Sequence, residues 1–126
     1  MMSILVADDA PSVRKLLRAI LELRHTVIEA EDGRQALERL IEHRPAVAIL
    51  DVTMPEMTGI EVCRQIREDP AFDETSVIII TANGTPTDRA AALAAGSNYF
   101  LAKPFSPTVV SRLVEAILAR QPVTLS

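Results

Sequence analysis

Five residues spread along the chain have types that could do chemistry together: Asp8, Asp9, Asp51, Thr81 and Lys103. Three carboxylates brought within a few ångströms repel one another unless a cation neutralises them. A hard divalent ion does so, and Mg²⁺ typically takes one or two carboxylates together with waters and phosphate oxygens. An Asp carboxylate can also act as a nucleophile and become an aspartyl phosphate. The phosphoryl oxygens then need a metal, a cation and a hydroxyl donor around them. In that arrangement Asp8 and Asp9 hold the metal, Asp51 attacks, and Lys103 and Thr81 hold the oxygens.

Each of these residues also has an ordinary use. An Asp-Asp pair ahead of a helix caps it and complements its dipole. Asp51 before Val52-Thr53-Met54-Pro55 is turn chemistry, and Thr81 is a residue that ends a strand. Lys103 is harder to treat as plain surface charge. Of 13 basic residues only Lys15 and Lys103 are lysines, and Lys103 lies between an apolar run and a proline.

The elements that must position this set follow from hydrophobic period. Short apolar runs at residues 4–7, 26–28, 46–50, 77–80 and 99–101 predict five strands. Those that are continuously apolar suit interior strands covered on both faces. Between them, helical stripes recur: Val13, Leu16, Leu17, Ile20 and Leu21 after Pro11; Ala36, Leu37, Leu40 and Ile41; and Ile60, Cys63 and Ile66. A fourth, alanine-rich stripe at 90–95 stops at Gly96, and Val110, Leu113, Val114, Ile117 and Leu118 follow Ser106-Pro107. All four glycines are read as punctuation between elements. Five βα units in a row imply an α/β doubly wound parallel sheet with right-handed crossovers and helices on both faces. Ligands of such sheets bind beyond the carboxyl ends of the strands. That is where Asp8-Asp9, Asp51, Thr81 and Lys103 fall.

Composition narrows the function. The chain has 126 residues, room for one domain, with 48% hydrophobic residues and a net charge of −4. Its aromatics are Tyr99, Phe72, Phe100 and Phe105. So few rings, with a negative charge, argue against a stacking or phosphate-backbone partner, so no nucleic acid is expected. Cys63 is alone, which excludes an intramolecular disulfide. No apolar run approaches the roughly 20 residues that cross a bilayer. A cytoplasmic protein without membrane insertion is the expectation.

Five stretches carry a resemblance: Ile4-Leu5-Val6-Ala7-Asp8-Asp9, Glu29-Ala30-Glu31-Asp32-Gly33, Ile49 through Gly59, Ile80-Thr81-Ala82, and Gly96 through Lys103-Pro104-Phe105. In register, they make the sequence resemble a response-regulator receiver domain of two-component signalling, of the single-domain chemotaxis-regulator type, over about residues 3–120. The resemblance implies a flavodoxin-like five-stranded sheet of order 2-1-3-4-5, for which this family is itself a type example. It makes Asp51 the phosphoacceptor. Asp9 and Asp51, with the main-chain carbonyl of Thr53, would bind Mg²⁺ directly, and Asp8 would act nearby or through water. Lys103 would pair with the phosphoryl group or with Asp51, Thr81 would be the switch hydroxyl and Phe100 the switch aromatic. A cis peptide is expected at Lys103–Pro104.

Departures from the family pattern are specific. Phe100 lacks the hydroxyl that a Tyr would bring, and Tyr99, one place earlier, faces the opposite side. Thr58 stands where Asp is usual, affecting a turn or cap. The stretch Leu23-Arg24-His25-Thr26 lacks the usual Gly-Tyr. Thr53 and Asn83 occupy positions that, in the family this sequence resembles, tune how fast the aspartyl phosphate hydrolyses.

The resulting expectation is a phosphorylation-activated switch rather than a turnover enzyme. Residues 1–121 form the receiver and 122–126 a tail. The donor is a histidine kinase or phosphotransfer protein. A downstream protein reads the helix 4–strand 5–helix 5 face, about residues 86–118, since at this length the domain fills the chain. The state is a monomer or a phosphorylation-dependent dimer. Two alternatives are an interaction module that is never phosphorylated and an aspartyl-phosphate phosphatase of the haloacid dehalogenase type. The latter wants a second Asp where Thr53 stands. His25 and His43 read as exposed helix-end residues, Cys63 as a core residue, and Arg14, Arg18 and Arg24 as a solvated face.

Overall fold

Runs of β-branched and aliphatic residues with no polar interruption make strands that are buried from both sides, and five such strands form the centre of the molecule. The computed structural model describes residues 2–82 and 84–119. Its strands are β1 (Ser3–Ala7), β2 (Thr26–Ala30), β3 (Val47–Asp51), β4 (Ser76–Thr81) and β5 (Tyr99–Ala102). All pairings are parallel, in the order β2-β1-β3-β4-β5. The helices are α1 (Pro11–Leu21), α2 (Gly33–His43), α3 (Gly59–Arg67), α4 (Pro86–Ala94) and α5 (Pro107–Leu118). The architecture is the doubly wound one that the element order predicts.

Side-chain alternation splits the core into two layers. Ile4, Val6, Val47, Ile49, Ile78 and Ile80 pack with Leu17 and Leu21 of α1 and with Val110, Leu113 and Val114 of α5. Leu5, Ala7, Ala48, Leu50, Val77 and Ile79 pack on the other face with Leu40 of α2, Val62 and Cys63 of α3, and Ala92 of α4. Burying each large aliphatic side chain is worth about 1.5–3 kcal/mol, and the strands do so on both faces. Tyr99 joins the first layer and Phe100 the second, as alternation requires.

Local differences from the predicted elements have plain causes. A short 3₁₀ turn at Pro70–Phe72, capped by Asp69, precedes β4 and seats Phe72 in the core. Helix α4 begins at Pro86, ahead of its alanine stripe, because the Thr85 side chain accepts from the amide of Asp88 and Pro86 fits the first turn. Thr58 forms a capping box with Glu61 at the start of α3. Asn83 and the tail at 122–126 lie outside the described residues. Among the described residues, no helix is long and apolar enough to cross a membrane.

Two glycines open helices rather than lie between elements. Gly33 and Gly59 are the first residues of α2 and α3. A Cβ at Gly59 would stand 2.3 Å from the Asp51 carbonyl oxygen, and one at Gly33 would stand 1.9 Å from that of Met57. Their role is close approach of backbone to backbone. Gly59→Ala is therefore expected to destabilise the fold by about 1–3 kcal/mol through overpacking against the end of β3, read as a lower urea midpoint with unchanged slope.

Candidate functional site

Alternation that sorts the core also aims the polar residues at its rim. Asp8 continues the face of Ile4 and Val6, Asp51 that of Val47 and Ile49, and Lys103 that of Tyr99 and Leu101. All three arrive on the α1/α5 side of the sheet. Lys103 Nζ lies 3.0 Å from Asp8 Oδ2 and 3.2 Å from Asp51 Oδ2. Asp8 and Asp51 are only 3% and 4% exposed, whereas the Lys103 side chain is 23% exposed. Asp9 is exposed beside them, and Asp8, Asp9 and Asp51 each offer a carboxylate oxygen within 4.8 Å of the others.

Backbone amides finish the carboxylates. The amide of Ala10 donates to Asp8 Oδ1 at 2.9 Å and that of Thr53 to Asp51 Oδ1 at 3.2 Å. Helix α1 starts at N-cap Ala10 with no side-chain cap, so Asp8 and Asp9 do not serve as its cap. The turn chemistry of Asp51 is real but coexists with the ion pair. The rim is stitched by Val52 N to Ile80 O at 2.8 Å and by Lys103 N to Thr81 O at 2.7 Å. The Lys103–Pro104 peptide is cis, as expected.

Thr81 is buried at the end of β4 and shares the α4-side parity of Ile79 and Phe100. The Arg89 guanidinium of α4 sits over the Phe100 ring, 5.0 Å from its centroid, in cation–π geometry. Asp8, Asp9, Asp51, Thr81 and Lys103 thus lie at the carboxyl end of the sheet, divided between its two faces, and Phe100 lies two residues inside that rim, paired with Ile79.

The electrostatics follow from one ammonium serving two buried carboxylates. Burial, then the charge of Asp8, pushes the Asp51 carboxyl from its ordinary 3.8 up to about 6, against the pull of Lys103. Burial would lower the Lys103 ammonium, but its hydrogen bond to Asp8 and the charges of both carboxylates more than offset this and raise it. The three carboxylates retain net negative charge after Lys103 is counted. An all-oxygen donor set with surplus negative charge fits a hard divalent cation.

Several side chains read differently once folded. Arg14 and Arg18 are not a solvated face. Both bind Glu29 of β2, and Arg14 also donates to the main-chain carbonyl of Asp8 at 2.7 Å. The signal available for this was Glu29 itself, a charge directly after the apolar run 26–28, which the structure places inside β2. Arg24 is exposed, with Glu115 as its ion-pair partner. His25 is not exposed: its side chain is 10% exposed and its Nε2 pairs with Glu115 of α5. His43 is exposed at the end of α2, beside Glu42. Cys63 is buried, its thiol donates to the Ala95 carbonyl, and burial pushes its pKa up, as fits a core residue.

Comparison with known proteins agrees with this geometry. A sequence model of the response regulator receiver domain matches residues 4–117. The chain is 43% identical over 118 residues to the transcriptional regulatory protein ResD of Bacillus subtilis, covering 93% of this chain and 48% of that one. It is 39% identical over 118 residues to the response regulator MprA of Mycolicibacterium vanbaalenii, covering 93% and 50%. The chain therefore spans about half the length of these curated relatives. Among solved structures, the BeF3-activated DrrB receiver domain superposes with a TM-score of 0.88 at 30% identity, covering 95% of this chain and 99% of that one. The chemotaxis protein CheY4 of Vibrio cholerae does so with 0.86 at 30%, covering 93% and 98%.

The raised Asp51 carboxyl has a signed consequence. Between about pH 4 and pH 6 the folded metal-free protein binds a proton that the unfolded chain has released, so this group's contribution to stability falls as pH rises. Asp51→Asn should remove that slope and, above pH 6, raise the unfolding free energy by on the order of 1 kcal/mol. Chemical denaturation of both proteins from pH 4 to 8 in chelator measures it.

Proposed function

The chain belongs to the response-regulator receiver family of two-component signalling, and on that footing we propose that it is a phosphorylation-controlled switch whose phosphoacceptor is Asp51. The observation that carries this reading is the buried Asp51 carboxylate, paired with Lys103, at a rim where Asp8 and Asp9 bring two more carboxylates. Asp9 and Asp51, with the main-chain carbonyl of Thr53, would hold Mg²⁺, and Asp8 would act beside them. When bound, that ion supplies positive charge against the phosphoryl oxygens.

The residues of the chain do the rest. The nucleophile is a carboxylate oxygen of Asp51, oriented by the Thr53 amide. Its oxygen forms a bond to phosphorus as the N–P bond of a donor phosphohistidine breaks, and the released imidazole nitrogen takes a proton from solvent. A histidine kinase or phosphotransfer protein is the donor. Lys103, freed from Asp51 as that carboxylate becomes an ester-like anhydride, pairs with a phosphoryl oxygen. Thr81 turns its hydroxyl to another, and Phe100 moves into the space it leaves. The change reaches the face of α4, β5 and α5, which is read by a partner protein or by a further domain. Phe100 can follow Thr81 by packing alone, since it has no hydroxyl to hydrogen-bond in either position.

Labelling with acetyl phosphate tests the assignment. Wild type should incorporate phosphoryl groups only with Mg²⁺, and Asp51→Asn should reduce incorporation by at least about 100-fold, as expected for loss of a nucleophile. Undiminished labelling of Asp51→Asn overturns it. Beryllofluoride with Mg²⁺ should shift the amide resonances of Thr81, Phe100 and α4 in wild type and leave those of Asp51→Asn in place.

A further inference from the structure

Asp9 presents a difficulty for any metal site at this rim. It is exposed, so packing does not fix it, and its direction must come from the backbone that carries it. The preceding residue, Asp8, is held at four points. Its amide donates to Ala30 O at 3.1 Å, its Oδ1 accepts from the Ala10 amide, and its Oδ2 pairs with Lys103. The fourth is its carbonyl, which accepts from Arg14 Nη1 at 2.7 Å. That carbonyl belongs to the Asp8–Asp9 peptide. Because the peptide is planar, fixing its oxygen fixes the direction in which the Asp9 backbone continues.

Arg14 is itself anchored. Its side chain is 15% exposed, and its Nε donates to Glu29 Oε1 at 3.2 Å. The other oxygen of Glu29 is held by Arg18 Nε at 2.6 Å, and Arg18 also reaches the Val27 carbonyl at 3.1 Å. A guanidinium is rigid and forked, so one group can satisfy a carboxylate and a carbonyl at once, which a lysine ammonium on a flexible stem does less well. Arg14 and Arg18 thus share the work of tying α1 to β2, but among the described residues only Arg14 extends from that tie to the acidic rim.

We propose that Arg14 is a positioning residue for the acidic pair: through the Asp8 carbonyl it sets the Asp8–Asp9 peptide, and so the direction from which Asp9 reaches a divalent cation. The proposal rests on the reading of the rim as a Mg²⁺ site. Groups of this kind, one step removed from the ligands, typically change metal affinity 10- to 100-fold when lost.

The test titrates Mg²⁺ into the full chain by calorimetry and by the amide resonances of Asp9 and Thr53. Wild type is compared with Arg14→Gln, Arg14→Lys and Arg18→Gln, with unfolding followed in parallel. The expected result is a Mg²⁺ Kd roughly 10-fold weaker in Arg14→Gln and a smaller loss in Arg14→Lys. Arg18→Gln, which loses the same tie to Glu29, should keep the wild-type Kd. Acetyl phosphate labelling of Arg14→Gln should fall at subsaturating Mg²⁺ and return to the wild-type rate at saturation. Equal Kd values for wild type and both Arg14 variants overturn the proposal, and so does an equal loss in Arg18→Gln, which would mark the network as structural only. If Arg14→Gln does not fold, Arg14→Lys carries the same comparison. A wild type that does not bind Mg²⁺ at millimolar concentration overturns the metal-site reading itself and the proposal with it, an outcome distinct from normal binding in every variant.

Discussion

Two carboxylates buried at the end of a parallel sheet, with a single ammonium between them, set the terms for everything else in this molecule. Taking a carboxylate out of water is costly unless it is paired. Lys103 pairs with both Asp8 and Asp51, yet one positive charge cannot balance two negative ones. Burial first, and the charge of Asp8 second, therefore keep the Asp51 carboxyl above its ordinary range despite Lys103. A site with this imbalance suits an added hard cation, and it keeps the Asp51 carboxylate in contact with the Lys103 ammonium.

Holding that imbalance in place takes much of the fold's local detail. The apolar strands act as rigid supports, and their alternation delivers Asp8, Asp51 and Lys103 to one side. Gly59 lets α3 press against the Asp51 carbonyl. Arg14 and Arg18 tie α1 to β2 through Glu29, and of the two Arg14 reaches on to the Asp8 carbonyl. Thr81 and Phe100 lie on the opposite parity, toward α4. The charged groups thus gather on one face of the rim, while a hydroxyl and a ring share the other. The Arg89 guanidinium over Phe100 links that ring to the exposed surface of α4.

Much of this was legible from residue patterns. Continuous apolar runs read as two-sided strands, and their count and alternation with helical stripes implied the parallel sheet. The chemistry of Asp8, Asp9, Asp51, Thr81 and Lys103 could be proposed because strand ends in such sheets converge. The strand order came from the family resemblance, since periodicity does not say which strand neighbours which. Burial of His25 was misread because the local stretch around it is polar; what covers it is α5, 90 residues away in sequence. The α1 arginines were misread for the same reason, as their partner Glu29 is on another element.

The sequence by itself determined the kinds of element, their order, and which side chains could carry charge chemistry at the carboxyl rim. These are short-range properties: a period of two or 3.6, a capping threonine, a proline at a first turn. Only the tertiary structure decided which carboxylates share Lys103, which arginine reaches the Asp8 carbonyl, and which histidine is buried. Those contacts depend on strand register and on how each helix lies across the sheet, and their geometry is set to a fraction of an ångström by the packing of the whole core.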